Sequence, residues 1–270
     1  VTEAFKASDL FTTLMVMPGG PDVPFRDPDR PGRTASPGGR RDAVLDDAAV
    51  AEIARIPGVR LAYPDVNFPA MVSLGEKEEF RLVQVVPAAL AASGALKLGW
   101  GKSYASDDEE GVVVSQSLLR RLGTDEPAAA VGKTLRITSV SIDLGKLASL
   151  DLSALFSGKG LPVAREAYDF PIVGVTEITA FGGGPSPVQN EVLIPPGPAR
   201  RIKRLPMTSI WDLFRMRDGR LGYSAVSVKL GSLRDLERVK SRVGDMGYTT
   251  FALADQFEQV TKGFYFMDVV

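Results

Sequence analysis

The sequence of 270 residues contains no cysteine and no histidine. These absences exclude thiol nucleophiles, Ser-His and Cys-His catalytic pairs, and the usual zinc ligands. They also remove the side chain that most often titrates near neutral pH. Carboxylates, lysine, tyrosine and serine are left for catalysis, so the composition disfavours an enzyme. Cysteine-free chains occur in reducing and oxidising compartments alike, so this absence does not distinguish cytosol from periplasm.

The sequence also lacks an excess of charge of either sign and a long apolar run. Its 32 Lys and Arg nearly balance its 33 Asp and Glu. No strong net field therefore favours nucleic acid, and we expect no nucleic-acid partner. No stretch of about 18 apolar residues and no signal peptide are present. At this length the chain can bury a substantial core and divide into two domains.

A Gly-Lys-Thr sequence at residues 132–134 raises the question of a phosphate-binding loop. Such a loop needs a second glycine five positions earlier, but Pro127 stands there and has no N–H group. The loop should also open a helix, whereas Leu135 and Ile137 follow in the alternating pattern of a strand. The sequence therefore predicts no nucleotide site and no cofactor in this chain.

The densest acidic cluster consists of Asp107, Asp108, Glu109 and Glu110. Carboxylates are ligands of calcium and magnesium, so this cluster is the basis of one functional hypothesis, an enzyme that uses carboxylates. The alternative is an acidic surface turn, because the cluster lacks the spaced alternation of a calcium loop.

Both ends of the sequence alternate between strand-like and helix-like segments. The N-terminal part predicts a strand at residues 10–17, a helix from Asp46 or Asp47 to Arg55, and strands at 59–63, 68–74 and 80–86. The last two of these strands are joined by the polar turn GEKEE, which predicts a hairpin. The C-terminal part predicts a strand at 223–230, a helix at 232–246 with Leu233, Leu236, Val239 and Val243 inward, a strand at 249–253 and a helix at 255–266.

The middle of the sequence is richer in strands. A helix with Leu118, Leu119 and Leu122 on one side is expected to stop at Gly123. Strands are predicted at 134–142 and 170–178, separated by a connection that is long for neighbouring strands. Two α/β flanks around a different middle predict an α+β fold in which the ends form one sheet, in a split β-α-β arrangement, interrupted by an insertion.

The order of the central motifs resembles the MacB-like periplasmic core domain of ABC transporter permeases, the MacB/FtsX-type permease family. The motifs are GVVVSQSLLRRLG, TDEP, AVGKTLRI, FPIVGVTEI and NEVLIPPGPARRI, and AVSVKLGSLRDLERVKSRVGDMGYTTFALADQFEQV follows them. The resemblance covers the chain from about Asp9 to its end. It implies that Gly132 supplies a tight turn, that Lys133 is exposed and that Asp125 and Glu126 lie in a solvated loop.

The resemblance implies two subdomains. A Porter-like subdomain is expected from residues 1–88 and 222–270, and an inserted, β-rich Sabre-like subdomain from residues 89–221. It also implies that one transmembrane helix precedes Val1 and that another follows Val270.

The function implied by the resemblance is an extracytoplasmic, or periplasmic, domain that couples cytoplasmic ATP hydrolysis to extracytoplasmic conformational change, for export or for regulation of a partner. The implied partners are an ABC ATPase domain or subunit, which would bind the ATP, a second permease copy and a periplasmic adaptor. The predicted helix at 255–266 is our candidate for the coupling element, with Phe257, Val260 and Phe264. A freestanding soluble binding or scaffold module of the same fold is the alternative hypothesis.

Two segments are candidates for partner contact. The residues between Asp143 and Asp169 include Leu147, Leu150, Leu155 and Phe156, which form either a small helix packed on the domain or an apolar face for a partner or second copy. Phe181, in the glycine-rich FGGGPSP, lies either at a loop tip that contacts a partner or in a simple connection.

Overall fold

The computed structural model describes residues 12–18, 43–142, 163–177, 188, 190–203 and 222–252. In chain order the strands are β1 (Thr13–Pro18), β2 (Val59–Pro64), β3 (Asn67–Leu74), β4 (Lys77–Val85), β5 (Leu98–Gly101), β6 (Val112–Ser115), β7 (Thr134–Ile142), β8 (Val163–Thr176), β9 (Val192–Ile194), β10 (Val226–Leu230) and β11 (Tyr248–Ala252). The helices are α1 (Asp47–Ala54), α2 (Ala88–Leu90), α3 (Gln116–Arg121), α4 (Pro196–Arg201) and α5 (Leu236–Asp245). The α+β class is confirmed.

The chain forms two compact units. The discontinuous unit comprises Val1–Val66 and Thr208–Val270, and the inserted unit comprises Asn67–Met207. The sequence instead places the first division after residue 88. The difference arises because β3 and β4 pair with β7 and β9 of the inserted unit, and these pairings join residues far apart in the sequence.

The described strands of the discontinuous unit form a four-stranded sheet in the order β11-β1-β10-β2. Every neighbouring pair is antiparallel. In this order β10 lies between β1 and β2, the two strands that α1 connects along the chain, while α5 connects β10 to β11.

The core of this unit lies where α1 and α5 pack on the sheet. Asp46 caps α1, since its Oδ1 accepts the N–H of Ala49 at 2.9 Å. The buried side chains of the core are Leu14, Val16, Leu45, Ala49, Ile53, Ile56, Val226, Val228, Leu230, Leu236, Val239, Val243 and Ala252. Leu233 was expected among them but is exposed, because it lies in a 3-10 turn that precedes the first helical residue of α5.

The inserted unit contains a seven-stranded sheet in the order β5-β8-β6-β9-β4-β3-β7, and β7 also pairs with β8. This additional pairing closes a ring of strands, to which β5 is attached through β8. The ring closes because the fourteen-residue β8 pairs with β7 along its first part and with β6 along its last part. Its first part, up to Pro171, pairs with β7, and its last residues pair with β6 and β5.

The first half of β8 was expected to belong to the connection between Asp143 and Asp169. Its sequence, VAREAYD, mixes small, charged and aromatic residues without a regular apolar alternation, so a search for apolar alternation does not find the strand. Backbone pairing with the regular strand β7, from Thr134↔Pro171 to Ile142↔Val163, specifies its conformation. No helix in the described part of the chain has both the length and the apolar character of a membrane span.

Candidate functional site

The Gly-Lys-Thr sequence lies at a turn that leads into a strand. Gly132 has a φ of 87°, which favours glycine, and its N–H donates to the carbonyl oxygen of Ile172 at 2.8 Å. The next residue, Lys133, is exposed, and the strand β7 begins at Thr134. The predictions of a tight turn and an exposed lysine are confirmed. Asp125 and Glu126 are exposed as well, as expected for a loop.

The acidic cluster at residues 107–110 makes contacts within the inserted unit. Asp107 Oδ1 accepts the N–H of Ala88 at 2.7 Å, and Glu109 Oε2 accepts the N–H of Ala105 at 2.6 Å. Glu110 forms an ion pair with Arg201. Across the described ranges, no group of three or more acidic side chains is placed to hold a metal ion. The contacts give this cluster a role in anchoring a loop.

The predicted partner and coupling residues all lie outside the described residues. They are Leu147, Leu150, Leu155, Phe156 and Phe181 for partner contact, and Phe257, Val260 and Phe264 for coupling. Their predicted roles stay predictions. The described strand ends locate the first segment in the topology, since Ile142 pairs with Val163 and residues 143–162 therefore connect the two strands of a hairpin.

The most exposed large apolar side chains among the described residues lie on β4. Phe80 is 62% exposed and Leu82 is 48% exposed. On the neighbouring strand β3, Met71 lies opposite Phe80 and Pro69 lies opposite Leu82. Residues opposite each other in an antiparallel pair share a face, so these four side chains form one surface. We call Pro69, Met71, Phe80 and Leu82 the outer apolar surface.

The face that carries the outer apolar surface continues across two further strands, where its side chains are smaller. Met71 lies opposite Thr138 on β7, and Thr138 lies opposite Ala167 on β8. An adjacent row carries charge, with an exposed pair in which Arg136 donates to both carboxylate oxygens of Asp169 at 2.8 and 2.9 Å. An apolar strip next to a polar rim is the composition expected of a protein-binding surface.

The sequence predicted the hairpin but not its exposed apolar side. Phe68, Ala70 and Val72 alternate with the outward residues of β3 and are buried, as is Val83 of β4. Both faces of β4 carry apolar residues, so periodicity alone does not show which face is covered. The exposure of Phe80 follows from the closure of the ring, which only the long-range pairings determine.

Glu191 contacts Arg81, which alternates with Phe80 and Leu82 and therefore lies on the other face of β4. The side chain of Glu191 is only 10% exposed, and Oε2 lies 3.0 Å from Nε of Arg81, an ion pair without hydrogen-bond geometry. The same oxygen accepts a hydrogen bond from Arg121, while Oε1 accepts from Ser117 Oγ at 2.6 Å and from Ser115 Oγ at 3.1 Å. These contacts join the start of β9 to β4, β6 and α3.

The environment of Glu191 decides its charge. Burial raises the pKa of its carboxyl group, but the hydrogen bonds from Arg121 and Ser117, with the nearby guanidinium charge, outweigh burial and hold the pKa below its ordinary value. Glu191 is therefore ionised at neutral pH. Arg81 lies between Phe80 and Leu82 in the sequence, so this ion pair fixes the strand that presents the outer apolar surface.

A groove of about 550 Å³ lies between α1 and α5 of the discontinuous unit. Arg55, Arg238 and Arg242 line it together with Glu52 and Asp245. Arg238 is engaged by Asp235, and the charges of the remaining residues balance. The groove thus offers no net attraction for an ion of either sign.

The chain matches no protein-family model and no curated protein sequence. Its structure is similar to the periplasmic region of MacB from Actinobacillus actinomycetemcomitans, with a TM-score of 0.51 and 13% identity over 94% of this chain and 94% of that chain. It is also similar to the extracellular domain of the noncanonic ABC-type transporter YknZ from Gram-positive bacteria, with a TM-score of 0.49, 13% identity, and 88% and 99% of the two chains covered. The chain therefore has the fold of a MacB-like periplasmic domain.

Proposed function

We propose that the chain is the extracytoplasmic domain of a MacB-like ABC transporter permease. The observation that carries this proposal is the likeness of fold to the periplasmic region of MacB across 94% of both chains. In this role the chain binds no nucleotide. ATP is bound and hydrolysed by a separate cytoplasmic ATPase domain or subunit, and the domain works in a transporter that contains two permease copies.

The mechanism is mechanical. The start of β1 and the end of β11 lie side by side, since Leu14 is opposite Ala252. Residues 1–11 and 253–270 therefore connect to two neighbouring strands at one end of one sheet. A displacement transmitted through both connections acts on this pair of strands together, and the hydrogen-bonded sheet carries it onward as a rigid element.

The helix predicted at residues 255–266 transmits the displacement in this proposal, through Phe257, Val260 and Phe264. Val260→Pro is expected to abolish ATP-dependent transport by the full-length transporter, because proline interrupts a helix. Val260→Ala is the matched control and should transport normally. Retained transport by the proline variant, at normal expression, would exclude this helix as the coupling element.

The outer apolar surface is the proposed contact for an extracytoplasmic partner, such as a periplasmic adaptor. Its exposed aromatic residue and polar rim suit a protein partner. Leu147, Leu150, Leu155, Phe156 and Phe181 remain proposed as additional contacts.

Protease accessibility tests the location of the domain. Protease added to intact spheroplasts that express the full-length natural protein should cleave within this domain and leave a cytoplasmic marker intact. Cleavage that requires lysis would refute the extracytoplasmic placement. Recovery of the natural protein in the soluble fraction would instead favour the freestanding binding module.

A further inference from the structure

The two edges of the four-stranded sheet are protected unequally. The edge strand β2 carries the exposed Arg60, ends at Pro64, and has a register shift in its pairing with β10. Charge, proline and irregular pairing all oppose the addition of another strand. The opposite edge, β11, has the sequence YTTFA, with no charge, proline or glycine, and it pairs with β1 in unbroken register.

The strand β5 ends the described sheet of the inserted unit, and like β2 it has features that oppose the addition of another strand. It is four residues long, contains Gly99 and Gly101, and has a register shift against β8. Among the strands that end the described sheets, β11 alone has no charge, proline, glycine or register shift that would oppose strand addition. Phe251, which is 36% exposed, adds apolar surface at this edge.

We propose that β11 pairs antiparallel with β11 of a second copy of this chain, centred on Thr250, to form a continuous eight-stranded sheet. A strand without charge meets its own copy without like-charge repulsion. In this register Thr249 lies opposite Phe251 of the second copy, Tyr248 lies opposite Ala252, and Thr250 lies opposite its equivalent. Pairs of aromatic with β-branched residues are among the favourable cross-strand pairs.

The inference rests on the edge of β11 and not on the proposed transport function, so either can fail without the other. Pairing of five residues buries less surface than a standard stable interface, and the dimer is therefore weak. We expect a dissociation constant on the order of 100 μM in solution. The proposed partner of β11 is a second copy of the chain. If other residues of the same chain paired with this edge instead, the protein would stay monomeric.

Sedimentation equilibrium of the 270-residue chain between 10 μM and 1 mM tests the association. The unchanged chain should approach a dimer at the highest concentration. In the symmetric pairing, positions 249 and 251 of the two copies lie opposite each other at two equivalent places. The double variant T249K/F251K puts a pair of lysines at each place, so its dissociation constant should rise at least about tenfold. The variant T249E/F251K changes the same positions but brings opposite charges together, so it should dimerise at least as well as the unchanged chain at low salt.

Circular dichroism and thermal melting establish that each variant is folded. A chain that stays monomeric at 1 mM overturns the proposal. Dimerisation that T249K/F251K leaves unchanged also overturns it, since the contact must then lie elsewhere. Equal weakening by both double variants contradicts the register centred on Thr250. Should T249K/F251K fail to fold, the single variant F251K is used, for which we expect a severalfold rise in the dissociation constant.

Discussion

Leu14 lies directly opposite Ala252, at the point where the first described strand begins and the last one ends. Both side chains are buried, at 0% and 1% exposure. The residues are 238 positions apart in the sequence, yet their backbones are neighbours in one sheet. Forces applied to the two chain connections would therefore reach adjacent strands, as the proposed mechanical role requires.

Loss of the outer apolar surface should impair function without impairing folding. We expect F80S/L82S to leave the chain folded and to cost about 1–2 kcal/mol in the free energy of unfolding, because roughly half of each side chain is already in water. Transport by the full-length protein should fall severalfold, as expected when an exposed aromatic anchor is lost. The control is L233S, which replaces a leucine that is 37% exposed in the discontinuous unit. Normal transport by F80S/L82S would remove this surface from the mechanism.

Loss of the Glu191 carboxylate should destabilise the inserted unit. E191Q leaves Arg121 without its carboxylate partner and leaves Arg81 with only the more exposed Glu79, and we expect a cost of about 2 kcal/mol in the free energy of unfolding. Urea unfolding at pH 7 measures it. E79Q is the matched control, because Glu79 also contacts Arg81, at 2.6 Å, but is more exposed. We expect it to cost less than about 1 kcal/mol, and equal costs would contradict a special role for Glu191.

The contribution of Glu191 should depend on pH. Its pKa in the folded state is lowered, so its ionised form stabilises the fold. That stabilisation is present above the ordinary pKa of the carboxyl group, about 4.3, and is lost as the pH falls through the lower folded-state value. The stability difference between the unchanged chain and E191Q should therefore shrink between pH 6 and pH 3. A difference that grows on acidification would show that the folded-state pKa is raised instead.

Two glycines offer a matched test of backbone strain against steric clash. Gly132 has a φ of 87° with no atom within 4 Å of an added Cβ, whereas Gly101 has a φ of 71° and an added Cβ meets the carbonyl oxygen of Val173. G132A should cost about 1 kcal/mol of stability, because only the backbone conformation is disfavoured. G101A should cost about 3 kcal/mol, because β5 must also move away from β8. Urea denaturation compares them, and equal costs would argue against close packing at Gly101.

The cap of α1 gives a prediction for the discontinuous unit. D46A removes the acceptor for the N–H of Ala49 and should cost about 1 kcal/mol, while D46S keeps an acceptor and should cost only a few tenths. Thermal unfolding followed by circular dichroism measures both. If D46S destabilises as much as D46A, the hydrogen bond is not what stabilises this end of the helix.

Local chemistry made several elements predictable. The leucine spacing before Gly123 predicted α3, and Leu118, Leu119 and Leu122 are indeed buried. An acidic residue before the apolar pattern predicted the start of α1, and Asp46 is its cap. In each case the signal is local, either a hydrogen bond three residues long or a helical spacing of apolar residues, so the sequence carries the information directly.

Long-range pairing made other features unpredictable. The β3–β4 hairpin was recognised, but its attachment to β7 and β9 was not, because alternation shows that a strand exists and not which strand lies beside it. The same limit explains the outer apolar surface, since Phe80 is exposed only because ring closure turns its side of β4 outward. The β8 residues before Phe170 were missed because their partner β7, and not their own composition, makes them a strand.

The insertion of one unit within the other also sets an order of folding. The inserted unit is complete once Met207 has been synthesised, whereas β1 must wait for β10 and β11, more than 200 residues later, before its two neighbours exist. During that interval Leu14 and Val16 have no sheet to enter. Pairings between such distant segments are slow to form and leave unpaired strands exposed to aggregation. We therefore expect chaperones to bind the apolar residues of β1 for longer than any other part of the nascent chain.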